Sequence, residues 1–433
     1  MSQSPDTAAA STAQPFDPKS VKKLSFLDIV KRVGPGLILT GVVIGPGNIT
    51  TSAMLGADYG YSMIWLVIPI AFMGITFMLA TYRISMLCGM PMIDAICHYY
   101  GKAAAAFVGL ATFLSCFFFT MGNVTGTGAG MNLLFNIDWK LGAVIMLAVL
   151  AWCYFTKGVY SKVEKGITLC ILAMIVAFYA ALIRAGGPDW GELGHGMTHW
   201  TVAEGSLATA LAYISTNASV TAGIYGTYLG KEKKWKKEDL FNGAMMADAA
   251  THVISVILIS GAVVLVGAIV MHPTGQRITA PAQLAELLVP VLGSAAKYVM
   301  GIALLGAGFS SLLGNTQRGM VLLGAGFQKP VSLESRFIRV GCLLCLALAC
   351  VICFSYGGSP TQLIYIANVL TAISTPVGGL FICLLLGRKD VSGDVPVSRP
   401  LQVCMIISYI FCVVMTISAL ATNLPKMLSS FGL

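Results

Sequence analysis

Two short polar stretches interrupt an otherwise apolar chain, and they hold most of the side chains suited to chemistry. The first is Gly45-Pro46-Gly47-Asn48 followed by Ile49-Thr50-Thr51; the second is Ser215-Thr216-Asn217-Ala218-Ser219-Val220-Thr221. Asn48, Thr50, Thr51, Ser215, Thr216, Asn217, Ser219 and Thr221 offer amides and hydroxyls, which donate and accept hydrogen bonds without carrying charge. Gly45 and Gly47 contribute backbone groups, because Pro46 has no N–H and glycine continues a helix poorly. Freed backbone groups at membrane depth are tolerated only where they line a cavity or lie buried in protein. These residues are therefore the candidate substrate site. A second chemistry is proton transfer. Asp248 and His252 stand four apart on one helix face, and an intramembrane acid is a functional residue by default; a structural hydrogen bond is the competing role. GxSxG, HExxH and P-loop motifs are absent, so no enzyme activity is expected.

The elements that must position these residues are membrane helices. The chain has 433 residues, 57% hydrophobic and 10% charged, against roughly 25% charged in soluble domains. That composition marks an all-α, multi-pass membrane protein. A span needs about 20 mostly apolar residues, and this ruler gives eleven: 33–57, 62–87, 104–134, 141–157, 162–184, 204–229, 240–270, 295–326, 337–355, 361–386 and 401–422. The first and sixth are broken by the two polar stretches. Interruptions five helices apart are the signature of an inverted repeat, here 31–184 and 204–386, with 401–422 as an extra helix. Together they form one transmembrane domain, 31–433, after a polar tail, 1–30, read as disordered and cytoplasmic.

Charge fixes the expected orientation. Of the 27 Lys and Arg residues, 22 fall on one side with the N-terminus and five (Lys140, Arg184, Arg277, Lys297, Lys426) on the other. The positive-inside rule then places the N-terminus in the cytoplasm and, with eleven spans, the C-terminus outside, in a cell inner membrane. The run Lys231-Glu232-Lys233-Lys234-Trp235-Lys236-Lys237 reads as a loop at an anionic leaflet, not a nucleic-acid patch. The expected partners are the lipid bilayer and a small-molecule or ion substrate, with no nucleic acid. Most of the 12 cysteines lie inside spans, where a helical Cys is a small apolar residue, the CxxC pairs Cys342/Cys345 and Cys350/Cys353 included. Arg83 and Arg318 are expected to snorkel to the cytoplasmic surface.

The segment Gly34-Pro35-Gly36, Gly45-Pro46-Gly47-Asn48-Ile49-Thr50-Thr51 and Gly56-Ala57-Asp58-Tyr59-Gly60-Tyr61-Ser62-Met63-Ile64-Trp65 resembles the start of the NRAMP family of metal-ion transporters. Met131-Asn132-Leu133-Leu134-Phe135, Gly301 to Ser311, and Asn368-Val369-Leu370 with Pro376 extend the likeness. The resemblance implies a LeuT-like 5+5 inverted repeat with helices 1 and 6 broken. It also shows where this chain departs. The family's metal-ligating DPGN aspartate falls on Gly45, while its asparagine is kept as Asn48. The family's Met-Pro-His ligands on helix six fall near Asn217-Ala218-Ser219. Its acidic pair on helix three falls on Thr120 and Asn123, and its helix-ten glutamine on Asn368.

No carboxylate metal ligand and no cofactor are therefore expected, a metal entering only as part of the substrate. A bare divalent ion at mid-membrane needs compensating charge, whereas helix N-termini and uncharged donors suit carboxylates. The first expectation is uptake of an organic anion or a metal–organic-anion complex of citrate type, by alternating access. The alternative is a carrier of a free divalent cation (Mg²⁺, Mn²⁺ or Fe²⁺), coupled to protons or not. A transport-dead sensor or binding protein is the third.

Overall fold

The computed structural model describes residues 16–155, 172, 175–218 and 220–430, and these are helical with no strand among them. The helices are α1 (Phe26–Arg32), α2 (Pro35–Val43), α3 (Pro46–Tyr59), α4 (Val67–Cys88), α5 (Met92–Phe135) and α6 (Trp139–Phe155). Then follow α7 (Ile175–Arg184), α8 (Trp190–Thr198), α9 (Leu207–Asn217), α10 (Val220–Glu232), α11 (Ala244–Val266), α12 (Pro281–Glu286) and α13 (Val289–Leu292). The last are α14 (Ala296–Gly326), α15 (Arg336–Ser355), α16 (Pro360–Leu370), α17 (Ser374–Leu386), α18 (Lys389–Ser392) and α19 (Arg399–Ser430).

Their starts obey local chemistry. Pro35, Pro46 and Pro360 occupy the first helical position, where a missing N–H costs nothing. Ser25, Ser335 and Ser359 accept from the N–H groups of Asp28, Ile338 and Gln362, capping α1, α15 and α16.

Among the described residues seven helices are long and apolar enough to cross a membrane, or eight if the bent pair α2–α3 is one span. The other three expected segments are the shorter α6, α7, and the broken pair α9–α10. Most of the fifth segment, and Ser219 in the second break, lie outside the described residues. The third span begins earlier than its apolar run, at Met92, because Gly101 (φ 86°, ψ 170°) lets a preceding helical piece run into it through a kink.

The first break is sharp. α2 stops at Val43, Ile44 and Gly45 are non-helical, and α3 restarts at Pro46 with a bend of 65°. The carbonyls freed at the end of α2 are met by α14, as burial requires. Ser310 Oγ donates to Gly41 O (3.1 Å), and Ser311 Oγ and Asn315 Nδ2 donate to Val42 O (2.7 and 2.9 Å). On its other side the break is clamped by α5: a Cβ added at Gly126 would stand 2.2 Å from Pro46 Cβ. Gly126→Val is accordingly expected to destabilise the fold by about 3 kcal/mol, read as a lowered melting temperature of the purified protein. The second break is shorter. α9 ends at Asn217, Ala218 leaves the helical region (φ −122°, ψ 49°), and α10 resumes at Val220.

Candidate functional site

The two breaks meet through amides. Asn48 Nδ2 on α3 donates to Asn217 Oδ1 on α9 (2.9 Å), and Asn217 Nδ2 donates to Tyr213 O (2.7 Å). Asn368 on α16 donates Nδ2 to Gly47 O (2.8 Å), and its own carbonyl accepts from Ser215 Oγ (3.0 Å). A backbone carbonyl can only accept, so Tyr213 O fixes which way Asn217 points, and Asn217 Oδ1 in turn fixes Asn48. Gly47 O fixes Asn368 by the same logic. Both amides thus have their nitrogens committed and their oxygens left over. Asn48 Oδ1, Asn368 Oδ1 and Thr50 Oγ1 are buried without a hydrogen-bond partner among the described residues, each orphan costing roughly 1–3 kcal/mol.

The remaining hydroxyls are spent locally. Thr51 donates to Gly47 O (3.0 Å), Thr216 to Ala212 O (2.8 Å) and Thr120 to Cys116 O (2.8 Å), and Thr221 is buried on α10. Asn123 faces the first break: its Nδ2 donates to Ser311 Oγ (2.7 Å) and its Oδ1 accepts from Gly47 N (3.3 Å). One of the N–H groups at the start of α3 is therefore already used. The space beside Gly45 is used as well, since an added Cβ would lie 2.5 Å from Asn123 Oδ1 and 2.6 Å from Ser311 Oγ. The chemistry on offer is that of two uncharged amide acceptors, Asn48 and Asn368 Oδ1, and one hydroxyl, Thr50 Oγ1, that can accept or donate, in a site closed to solvent where all three residues are fully buried.

Asp248 and His252 are not at this site but at the other end of α2. Asp248 Oδ1 accepts from Gly34 N and Gly36 N (2.9 and 3.0 Å), and Oδ2 accepts from Gly36 N and Tyr82 OH (2.9 and 3.0 Å). A carboxylate on the first amides of a helix satisfies orphan donors and complements the helix dipole. His252 Nδ1 lies 3.0 Å from Thr40 Oγ1, one turn further along. Asp248→Ala is expected to cost about 3 kcal/mol, as charged hydrogen bonds do. Hydrogen–deuterium exchange over residues 34–40 would show it as faster amide exchange.

Arg318 does not reach the surface as its position near a helix end led us to expect. It is 3% exposed, with Nε donating to Cys116 Sγ (3.2 Å), Nη2 to Asn315 Oδ1, and Nη1 unpartnered among the described residues. By holding Asn315 Oδ1 it turns Nδ2 toward Val42 O. Arg83, also mostly buried, donates Nη2 to Pro396 O (2.6 Å). Ser311, Asn315 and Arg318 are the site's unforeseen members. The i, i+4 spacing of Ser311 and Asn315 within an apolar helix is the signal that marks them. Among the described residues no group of three or more His, Cys, Asp or Glu is placed to hold a metal ion.

The model of the Natural resistance-associated macrophage protein-like family matches residues 36–422. The chain belongs to the NRAMP family. Relatives include the divalent metal cation transporter MntH of Agrobacterium fabrum, 27% identical over 355 residues (78% of this chain, 76% of that one). MntH of Mesorhizobium japonicum is 23% identical over 385 residues, covering 85% and 83%. Among solved structures, a mutant of the Eremococcus coleocola manganese transporter superposes with a TM-score of 0.78 at 15% identity, covering 95% and 94%. MhsT in complex with L-phenylalanine follows at TM-score 0.62 and 17% identity, covering 92% and 99%. The fold is thus the LeuT-like one of the NRAMP transporters.

These findings correct the first functional expectation. The NRAMP relatives are named for divalent metal cations, not for citrate or another organic anion, and the metal named among the structures is manganese rather than magnesium. The physical reason the anion reading fails is visible at the breaks. It counted amides and hydroxyls as free donors, whereas the structure commits Asn48, Asn217 and Asn368 Nδ2 and the Thr51 and Thr216 hydroxyls to carbonyl oxygens and leaves Asn48 Oδ1 and Asn368 Oδ1 as acceptors.

Proposed function

We propose that this NRAMP-family chain carries a free divalent metal cation, Mn²⁺ being the best-supported cargo, by alternating access around the two breaks. The observation that carries the reading is the pair of orphaned amide oxygens at the first break, Oδ1 of Asn48, the residue after Gly47, and Oδ1 of Asn368, whose Nδ2 holds the Gly47 carbonyl. Oxygen acceptors with no donor suit a hard cation, and Mn²⁺ accepts carbonyl and water ligands. With no carboxylate among these acceptors the ion keeps part of its water shell, as Mg²⁺-like ions do. Affinity then falls in the weak regime, roughly 0.1–1 mM, where sites poor in ligand charge lie. Asp248 and His252 remain the candidates for a coupling proton, beside their grip on α2.

Purified protein in liposomes loaded with a Mn²⁺-quenched dye tests this. Saturable uptake of free Mn²⁺, slowed when excess citrate chelates the metal, is the expected result. Transport of labelled citrate with no flux of free Mn²⁺ would refute it.

A further inference from the structure

On the face that carries α1, that helix and the turn after α10 border an open cavity of about 440 Å³. Its polar lining is Lys31, Arg32, Lys233, Lys234 and Lys236, with Asp28 as the one acid. Arg32 is paired with Asp239 (2.6 Å), and Lys31 sits 3.8 Å from Asp28 with both exposed. Lys233, Lys234 and Lys236 have no ion-pair partner among the described residues.

The walls are built rather than loose. Trp235 packs edge-on against Tyr82 (centroids 5.0 Å apart) and donates Nε1 to Arg32 O (3.4 Å). Lys23 Nζ donates to Phe241 O (2.8 Å), and Leu24 N donates to Asn242 O (3.2 Å), tying the lead into α1 to the start of α11. Lys234 holds φ at 57°, a left-handed conformation that side chains other than Gly and Asn rarely adopt. Three lysines without a direct ion pair among the described residues, Lys233 with Asp248 as a charge partner, are thus gathered by a fixed turn with one strained residue.

A second feature says what brings the anion. α1 exposes Phe26 (78%), Leu27 (71%) and Val30 (54%), which share one helix face. A short helix with bare apolar side chains beside basic ones lies in the membrane interface. The cavity thus lies beside an exposed apolar helix face, with Leu24, Asp28, Lys31 and Arg32 of the same stretch in its lining.

We propose that the cavity binds the phosphodiester headgroup of an anionic phospholipid in the leaflet on the α1 side. Only Val33 and Gly34 separate α1 from α2, and an ideal Cβ at Gly34 would stand 3.3 Å from Lys233 Nζ. A bound headgroup consequently fixes the near end of the broken span.

The test does not depend on which cargo is carried. Full-length protein in neutral detergent is melted against increasing short-chain phosphatidylglycerol, phosphatidylcholine or inorganic phosphate. The expected result is saturable stabilisation by phosphatidylglycerol alone, lost in high salt. A basic residue near an anionic surface is worth roughly fivefold in affinity, so K233Q/K234Q/K236Q is expected to weaken binding about a hundredfold. Should that variant not fold, K234E alone is expected to weaken it at least tenfold. Equal stabilisation by phosphatidylcholine, or folded variants with unchanged affinity, would overturn the proposal. Stabilisation by inorganic phosphate as strong as by the lipid would overturn the lipid assignment.

Discussion

Asn368→Ala is expected to reduce Mn²⁺ uptake by about a hundredfold, the scale at which metal sites lose affinity when a supporting group is removed. The effect is large because one side chain does two things. Its Nδ2 holds Gly47 O at 2.8 Å, which keeps the first break in shape, and its Oδ1 is one of the buried acceptors without a partner. Asn368→Asp separates the two. It keeps an oxygen for the cation and adds charge, but sets a carboxylate against the Gly47 carbonyl. Tighter Mn²⁺ binding with slower turnover is expected. Uptake rates and equilibrium Mn²⁺ binding, measured side by side, check both variants.

Gly45→Asp, which would restore the aspartate that NRAMP relatives are expected to carry there, is predicted to abolish folding or transport rather than improve it. The new Cβ would lie 2.5 Å from Asn123 Oδ1 and 2.7 Å from Ser311 Cβ, distances no packed side chain tolerates. Overpacking costs about 1–3 kcal/mol, and an unpaired buried carboxylate adds several kcal/mol. The three changes Gly45→Asp, Asn123→Ala and Ser311→Gly together are expected to recover a folded protein. Size-exclusion profiles and melting temperatures of the single and triple variants give the answer. A well-folded, active Gly45→Asp single variant would show that the space beside Gly45 is not occupied as described. Asn123 and Ser311 fill the volume beside Gly45, and Arg318, through Asn315, braces the buried carbonyl of Val42 that the end of α2 leaves without a helical partner.

Much of this was legible in residue order because backbone chemistry is local. Gly-Pro-Gly at 45–47 ends α2 and starts α3 wherever it is placed, and the polar run at 215–219 likewise marks the second break. That Asn48, Asn217 and Asn368 stand at the breaks follows from the breaks themselves and from the family likeness. What the amides do once there was not legible. Whether Asn48 shows a ligand its nitrogen or its oxygen depends on Tyr213 O, 165 positions away in sequence, and on Gly47 O for Asn368. The anion expectation rests on the missing acids, on helix N-termini and on amides counted as free donors, and the last of these is what the amide geometry removes. Arg318 was misread for a similar reason. Snorkelling depends on what lies between a side chain and water, and here Cys116 and Asn315 hold the guanidinium inside.

The most direct measurement is a Mn²⁺ titration of the purified protein followed by electron paramagnetic resonance, without citrate or any other chelator. The account predicts one saturable Mn²⁺ per chain, bound in the wild type and lost when Asn48 and Asn368 are both replaced by alanine in a variant that still melts cooperatively. Failure of the wild type to bind free Mn²⁺, or binding untouched by the double replacement, would contradict it.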